Sequence, residues 1–406
     1  MSSKVVVIGQ GYVGLPLAIS MAKAGHDVVG FDLNEPLISA LFEGRSHIEG
    51  VSDSDLKALL ATGKYRPSAN ELDITDREIA VIAVPTPLSD ERLPDLKFVI
   101  SASQTLGRNL KNPTLIVNES TSFPGTLRNH IKPAVESVSM GGVEHLYAIS
   151  PERVDPGNEK WHIENTPRIV AGLTPAAAQG VIDFYSTFCK SLHPVSTPEV
   201  AEAAKLFENT FRLINIGLVN EFAQIMHALG IPVRETLDAA STKPYGFMKF
   251  TPGVGVGGHC IPVDPLYLAE VAHRVGESAK FIKAASDLNN AMPAYVVSRV
   301  KRDNGGSLKN KSVRVIGVSY KPNLADIRET PVEYLVEELE REGAKVSWHD
   351  PYITSWRGSA SEKLTPSSAD ISIIATFHDQ FDAQEILESS TYTFDCTGKV
   401  QAATQL

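Results

Sequence analysis

Apolar runs and glycine breaks alternate along this chain with a period that predicts its elements. The β-branched run KVVVIG is followed by a glycine turn, a helical stretch closed by Gly25, and a second apolar run ending at Asp32, which together read as one β-α-β unit. Buried-strand runs follow at 79–87, 114–120 and 146–150, separated by helical patterns at 95–110 and 124–138. Such alternation predicts an α/β fold with a mostly parallel, doubly wound sheet carrying helices on both faces. From Pro198 to about Gly230 the periodicity is helical, with Pro198 suited to the first turn, Gly230 and Pro232 ending the run, and Gly217 inside it. At roughly 1.5 Å per residue this helix spans about 45–50 Å, longer than one domain needs, so it reads as a spine between two α/β domains that is also available for dimerisation.

After the Gly/Asn/Lys-rich stretch 302–312, the best linker in the chain, the opening pattern returns. VRVIGVSY echoes VVVIGQGY, WHDP echoes FDLN and ISIIAT echoes AVIAVP. Val318 and Ser319 stand where Gln10 and Gly11 stood, so this half lacks the glycines and is not expected to hold a pyrophosphate in the same way. General likeness among β-α-β units is the alternative explanation of the echo. The fold expected is two Rossmann-like doubly wound domains joined by a long central helix, parsed as 1–197, 198–301 and 302–406.

Composition narrows the partners. The chain has 406 residues, 43% apolar and 21% charged, so it reads as globular with two or three domains. Its net charge of −10 argues against DNA and against an anionic membrane surface. Three cysteines in so long a chain do not suggest a disulfide framework, and no apolar stretch of membrane-spanning length or basic leader precedes KVVVIG. A cytoplasmic protein without nucleic-acid, membrane or metal partners is expected.

Gly9, Gly11 and Gly14 form G-x-G-x-x-G directly after a strand and at the mouth of a helix. The first glycine allows the turn, the second lets backbone approach a pyrophosphate, and the third lets helix and strand pack closely. Asp32 ends the second strand, where a carboxylate accepts from a ribose 2′-hydroxyl and repels a 2′-phosphate. No Arg or Lys follows it directly, so NAD is expected rather than NADP.

The second chemical signal is GVGVGGHCIPVD, which places Cys260 after four glycines. A tight structural turn around a small buried residue is one reading; a cradled reactive thiol is the other. The dinucleotide site favours the thiol. One hydride removed from an alcohol gives an aldehyde, and an aldehyde yields a second hydride only after a nucleophile adds. A thiolate would give a thiohemiacetal, which can be oxidised to a thioester and hydrolysed.

With both signals in hand, the chain resembles the UDP-glucose/UDP-N-acetylhexosamine 6-dehydrogenase family over essentially its whole length. The matching pieces are GQGYVGLPLA, VPTPL, ESTSFPGT, SPERVDPGN, AEAAKLFENTFRLINIGLVNE, GVGVGGHCIPVD and YKPNLADIRETP. The resemblance implies oxidation of the sugar C6 hydroxymethyl to a carboxylate with NAD through a cysteine thioester, in a homodimer or higher homo-oligomer. It implies that the first region binds NAD, the central region carries the dimerisation helix and cysteine loop, and the last binds the nucleotide-sugar. Cys260 would be the nucleophile and Asp264 would organise the thiol or the water. Lys205 and Asn209, spaced i, i+4, would stabilise charge on the C6 oxygen. Glu152 would activate the hydrolytic water, and Thr121 would hold that water near the cofactor. Outside the resemblance, Asp264 reads equally as an Asx turn, Thr121 as a cap, and Lys205 with Asn209 as a solvated helix face.

The same carry-over assigns NAD contacts to Tyr12, Val13, Asp32, Pro85, Thr86 and Arg328, beside Gly9, Gly11, Gly14 and Thr121. For substrate it assigns Lys321, Arg153, Arg212, Tyr245 and Phe250, with Gly253 and Gly257 of the cysteine loop joining Glu152, Lys205 and Asn209. IPVD and PERVDPGN replace the FPKD and PEF of UDP-glucose members, so Val263 stands in place of a family lysine. With KPYGFMKFTPG, these departures resemble the UDP-N-acetylglucosamine branch. UDP-N-acetylmannosamine, UDP-glucose and a thymidine-linked hexose remain alternatives. Two other classes are a two-electron 3-hydroxyacid dehydrogenase, which needs no cysteine, and a catalytically silent sugar-nucleotide-binding protein.

Overall fold

Strands of two to six residues, too short to bury much alone, are completed by pairing into an eight-stranded sheet, a five-stranded sheet and a two-stranded ribbon, Ser355–Trp356 with Ser359–Ala360, among the described residues. The computed structural model describes residues 2–48, 50–139, 141–155, 158 and 160–406; Pro156 and Gly157 of the SPERVDPGN motif lie outside the described residues. The chain divides into two units, Met1–Glu208 with Leu266–Gly276, and Asn209–Pro265 with Glu277–Leu406.

In the first unit eight strands form one sheet among the described residues. Their order is Tyr65–Ser68, Asp27–Phe31, Lys4–Ile8, Ile79–Ile82, Leu115–Asn118, Leu146–Ile149, Arg168–Gly172 and Leu192–Pro194. Neighbours run parallel except Leu146–Ile149 with Arg168–Gly172. Because side chains alternate along a strand, Val5 and Val7 enter one core while Val6 and Ile8 enter another. The first core is completed by helices Gly14–Lys23 and Pro175–Tyr185, the second by Lys97–Asn109. Burial on both faces is why these strands read as unbroken apolar runs. The expected strand 79–87 pairs only over Ile79–Ile82, because the prolines at 85 and 87 lack the ladder donor. The expected helix 124–138 is a wide turn, Leu127–Ile131, followed by an α-helical turn, Lys132–Glu136, with Pro133 at its start.

The long helix forms as one element, Pro198–Leu229, whose earlier residues belong to the first unit and later ones to the second. Gly217 does not break it: a Cβ there would lie 3.1 Å from Ala285 on helix Lys280–Asp303, so the missing side chain lets two helices of the second unit approach. Helix Lys280–Asp303 runs into the expected linker, and Leu308 within that stretch is fully buried.

The second unit also holds a five-stranded parallel sheet, ordered Lys345–His349, Ser312–Ile316, Ala369–Ile374, Ser390–Asp395, Thr404–Gln405. The sequence echo has a geometric counterpart. Gly317 sits at φ +77° after its strand as Gly9 does at φ +94°, and Asp350 accepts from Val318 N and Ser319 N as Asp32 accepts from Gln10 N. Asp350 is buried and also bonds His378 at 3.0 Å and Tyr352 N at 2.8 Å. The acid that could meet a ribose in the first half is here consumed inside the fold.

Candidate active site

Apart from Arg328, which belongs to the second unit, the residues expected to hold the cofactor lie at the carboxyl ends of the parallel strands of the first unit, the usual ligand edge of such sheets. A Cβ on Gly14 would lie 1.9 Å from the Gly9 carbonyl, so strand and helix approach as closely as the fingerprint requires. A Cβ on Gly11 would meet nothing within 4 Å, which leaves the turn open toward a ligand. Helix Gly14–Lys23 has no side-chain cap and no acid in its first turn, so its amino end suits a pyrophosphate. Asp32 accepts from Gln10 N at 2.8 Å and Asn34 N at 2.9 Å, which fixes the carboxylate at the strand tip. Tyr12 and Val13 pack against the core beneath; Pro85 is exposed and Thr86 buried just past Ile79–Ile82. These residues fit a dinucleotide, with the glycine turn on the phosphates and Asp32 on the ribose.

Thr121 and Glu152 follow the next two strands, Leu115–Asn118 and Leu146–Ile149, and both are half-buried. Glu152 N donates to the Glu119 carbonyl at 3.2 Å, and its Oε1 accepts from Val154 N. Beneath lies a group the sequence reading missed. The fully buried Glu119 carboxylate accepts from Arg168 at 2.6 and 2.7 Å and from Tyr185 at 2.5 Å. Burial pushes the Glu119 carboxyl up while the Arg168 guanidinium and the Tyr185 hydroxyl oppose that rise. Its signal was a glutamate ending an apolar strand run, TLIVNES. Arg153 is turned to an ion pair with Glu208, at 2.5 Å, and to the Pro167 carbonyl.

Lys205 and Asn209 occupy one face of helix Pro198–Leu229, but not a solvated one: they are 7% and 6% exposed. Asn209 Nδ2 donates to Asp264 Oδ2 at 2.5 Å, with Asp264 only 2% exposed. Asp264 opens helix Asp264–Arg274, and its N–H closes a helical turn on the Cys260 carbonyl at 2.8 Å. Cys260 therefore stands just ahead of a helix amino end, where partial positive charge favours a thiolate. It is exposed, whereas Cys189 and Cys396 are buried. Burial pushes the Cys189 thiol up to about 12 and raises Cys396 as well, which disqualifies both as nucleophiles. Burial and the nearby Arg328 hold His259 below its ordinary value, so it is neutral at pH 7.

The cysteine loop is shaped by close approach. Gly258 adopts φ +85° with a Cβ position 2.8 Å from the Tyr320 ring, and its N–H donates to the Arg328 carbonyl at 3.0 Å. A Cβ on Gly257 would lie 2.7 Å from Tyr320, and Gly253 N donates to buried Asn220 at 3.0 Å. The YKPNLADIRETP segment thus packs on this loop. Lys321 is half-buried beside Tyr320, and the Arg328 guanidinium is paired with Asp326. Arg212 is exposed, Tyr245 is 72% exposed with Lys243 over its ring, and Phe250 packs edge-on against Phe211 at 5.9 Å.

A parallel sheet with an open glycine turn and a strand-end acid, in a chain that also presents one cradled thiol, defines a nicotinamide-dinucleotide-dependent oxidoreductase. The NAD binding domain of the UDP-glucose/GDP-mannose dehydrogenase family matches residues 3–189, its central domain 199–291 and its UDP binding domain 314–402. The chain belongs to this family of NAD-dependent UDP-sugar dehydrogenases. It is 35% identical to a UDP-N-acetyl-D-glucosamine 6-dehydrogenase of Pseudomonas aeruginosa, covering 93% of this chain and 91% of the relative. It is 34% identical to a UDP-N-acetyl-D-mannosamine dehydrogenase of Pyrococcus horikoshii, covering 93% and 90%. The solved structure of a UDP-D-ManNAc dehydrogenase from Pyrococcus horikoshii superposes with a TM-score of 0.88 at 32% identity, covering 97% and 95%. Among the described residues no helix is long and apolar enough to cross a membrane.

Proposed function

We propose that this enzyme is a UDP-N-acetylglucosamine 6-dehydrogenase that carries its half-oxidised sugar on Cys260. The observation that carries the reading is the buried Asn209–Asp264 hydrogen bond at 2.5 Å, one helical turn from Lys205 and four residues from the only exposed cysteine. The bond fixes the Asn209 amide one helical turn from Lys205, where the two side chains would stabilise negative charge on the C6 oxygen. NAD supplies the hydride acceptor, used twice for each sugar.

In the first oxidation the C6 alcohol would give its hydride to NAD and its hydroxyl proton to solvent water, and become an aldehyde. The Cys260 thiolate adds to the aldehyde carbon, and Lys205 with Asn209 holds the resulting oxyanion. Loss of a second hydride from that thiohemiacetal leaves a thioester. Glu152 takes a proton from water positioned by Thr121, the hydroxide adds, and the carboxylate leaves as the Cys260 thiolate is restored. Asp264 fixes the Asn209 amide in its donating orientation. On the same reading, residues 1–197 bind NAD through the glycine turn and Asp32, and 302–406 bind the UDP through Lys321.

The choice of sugar rests on IPVD and PERVDPGN and on the likeness to the Pseudomonas aeruginosa relative. The likeness to N-acetylmannosamine relatives supports the C2 epimer as the second reading. Helix Pro198–Leu229 also exposes Phe207, Phe211, Leu218, Ile225 and Leu229, spaced by four or seven residues along one face. That stripe is suited to a second copy of the chain, so a homodimer is part of the proposal. The test is kcat/KM over UDP-linked glucose, N-acetylglucosamine and N-acetylmannosamine: preference for N-acetylglucosamine supports the assignment, and preference for either other sugar replaces it.

A further inference from the structure

Helix Pro198–Leu229 carries a buried carboxylate that the mechanism leaves unused. Glu202 is 1% exposed and lies one turn before Lys205. Its oxygens accept from Gly125 N at 2.6 Å, Leu127 N at 3.0 Å and Ser122 Oγ at 3.3 Å, all in the loop that follows Thr121. The loop N–H groups could have been capped by a local Ser or Asp near solvent at little cost. Here the acceptor comes instead from a distant helix, and burying a carboxylate there is expensive. We propose that Glu202 is a positioning residue: its carboxylate ties the loop bearing Thr121 to the helical turn bearing Lys205, so that both keep a fixed register during turnover.

Burial raises the Glu202 carboxyl to about 7, against the donors of Gly125, Leu127 and Ser122. The charged groups acting on it are Glu199 and Arg128, paired at 2.8 Å, with Lys205 one turn on along its helix; His130 packs against the Phe123 ring of the tied loop and Arg274 stacks over that ring at 5.0 Å. Ionised, Glu202 accepts every donor the loop offers. Protonated, it turns an O–H toward backbone N–H groups and the tie loosens.

The inference rests on the roles proposed for Thr121 and Lys205. Its test is the pH profile of kcat and KM for wild type, Glu202→Gln and Glu202→Asp, with melting temperatures taken alongside. Glu202→Gln is expected to lower kcat about tenfold or more at pH 8 with KM for the UDP-sugar within about threefold, and to lose the rise in kcat near pH 7. Glu202→Asp, which keeps the charge with a shorter reach, is expected to keep the rise at a lower kcat. A kcat within about twofold of wild type with the same rise overturns the proposal, as does a loss that follows the loss of fold in both variants. If wild type never forms a Cys260 adduct the mechanism fails, whatever Glu202 does; if it does form one and Glu202→Gln is indifferent, only this inference fails.

Discussion

Asn209 and Asp264, fifty-five residues apart in sequence, meet through a 2.5 Å hydrogen bond with both side chains almost wholly buried. Replacing Asp264 by Asn sets two amides against each other, and replacing Asn209 by Asp sets two carboxylates together. Leaving a buried polar group unpaired costs about 1–3 kcal/mol, more when it is charged. Each single variant is therefore expected to melt lower, with Asn209→Asp the worse. The double exchange rebuilds the bond with its direction reversed. It should recover most of the melting temperature but not kcat, because the amide proposed to face the C6 oxygen is gone. Recovery of both would remove Asn209 from the oxyanion role.

Asp32 is pinned by the backbone of its own glycine turn, so its charge cannot swing away from a ribose. Asp32→Asn loses one charge-assisted bond of about 1.5–3 kcal/mol. KM for NAD should rise about tenfold or more, and discrimination against NADP should narrow because the repulsion of a 2′-phosphate is gone. An unchanged ratio of kcat/KM for the two cofactors would remove Asp32 from that role.

Much of this was legible in the sequence, for identifiable reasons. Strands buried on both faces announce themselves as apolar runs, and the glycines at 9, 11 and 14 are dictated by backbone approach that no side chain permits. The returning pattern at 313–320 was readable because Gly317 and Asp350 repeat the geometry of Gly9 and Asp32. Glu119, Arg168, Glu202 and Asn220 were not, since a single sequence does not say which polar residues are buried. Lys205 and Asn209 show the same limit: by spacing alone they belong on a wet helix face, yet they are buried. Tyr245, read as a substrate contact, is 72% exposed in the chain by itself.

Asp350 gives the fold an acid limit. Burial alone would raise its carboxyl, but the His378 bond and the backbone donors hold it at about 2. A carboxyl depressed on folding adds stability above its unfolded value, and that stability is lost as pH falls from about 4 through about 2. Asp350→Asn should cost on the order of 2 kcal/mol at neutral pH and flatten the acid part of the unfolding curve. A variant curve parallel to wild type through that window would show that Asp350 is not the group responsible.

The most direct measurement is the intact mass of the Glu152→Gln enzyme after incubation with UDP-N-acetylglucosamine and NAD, followed by peptide mapping and repeated on Cys260→Ser. The account predicts an acyl adduct on Cys260 that accumulates because hydrolysis is slowed, two NADH released for each adduct, and no adduct or uronate from Cys260→Ser. Uronate formed by Cys260→Ser at the wild-type rate, or turnover that stops at one NADH with aldehyde released and Cys260 unmodified, would contradict it.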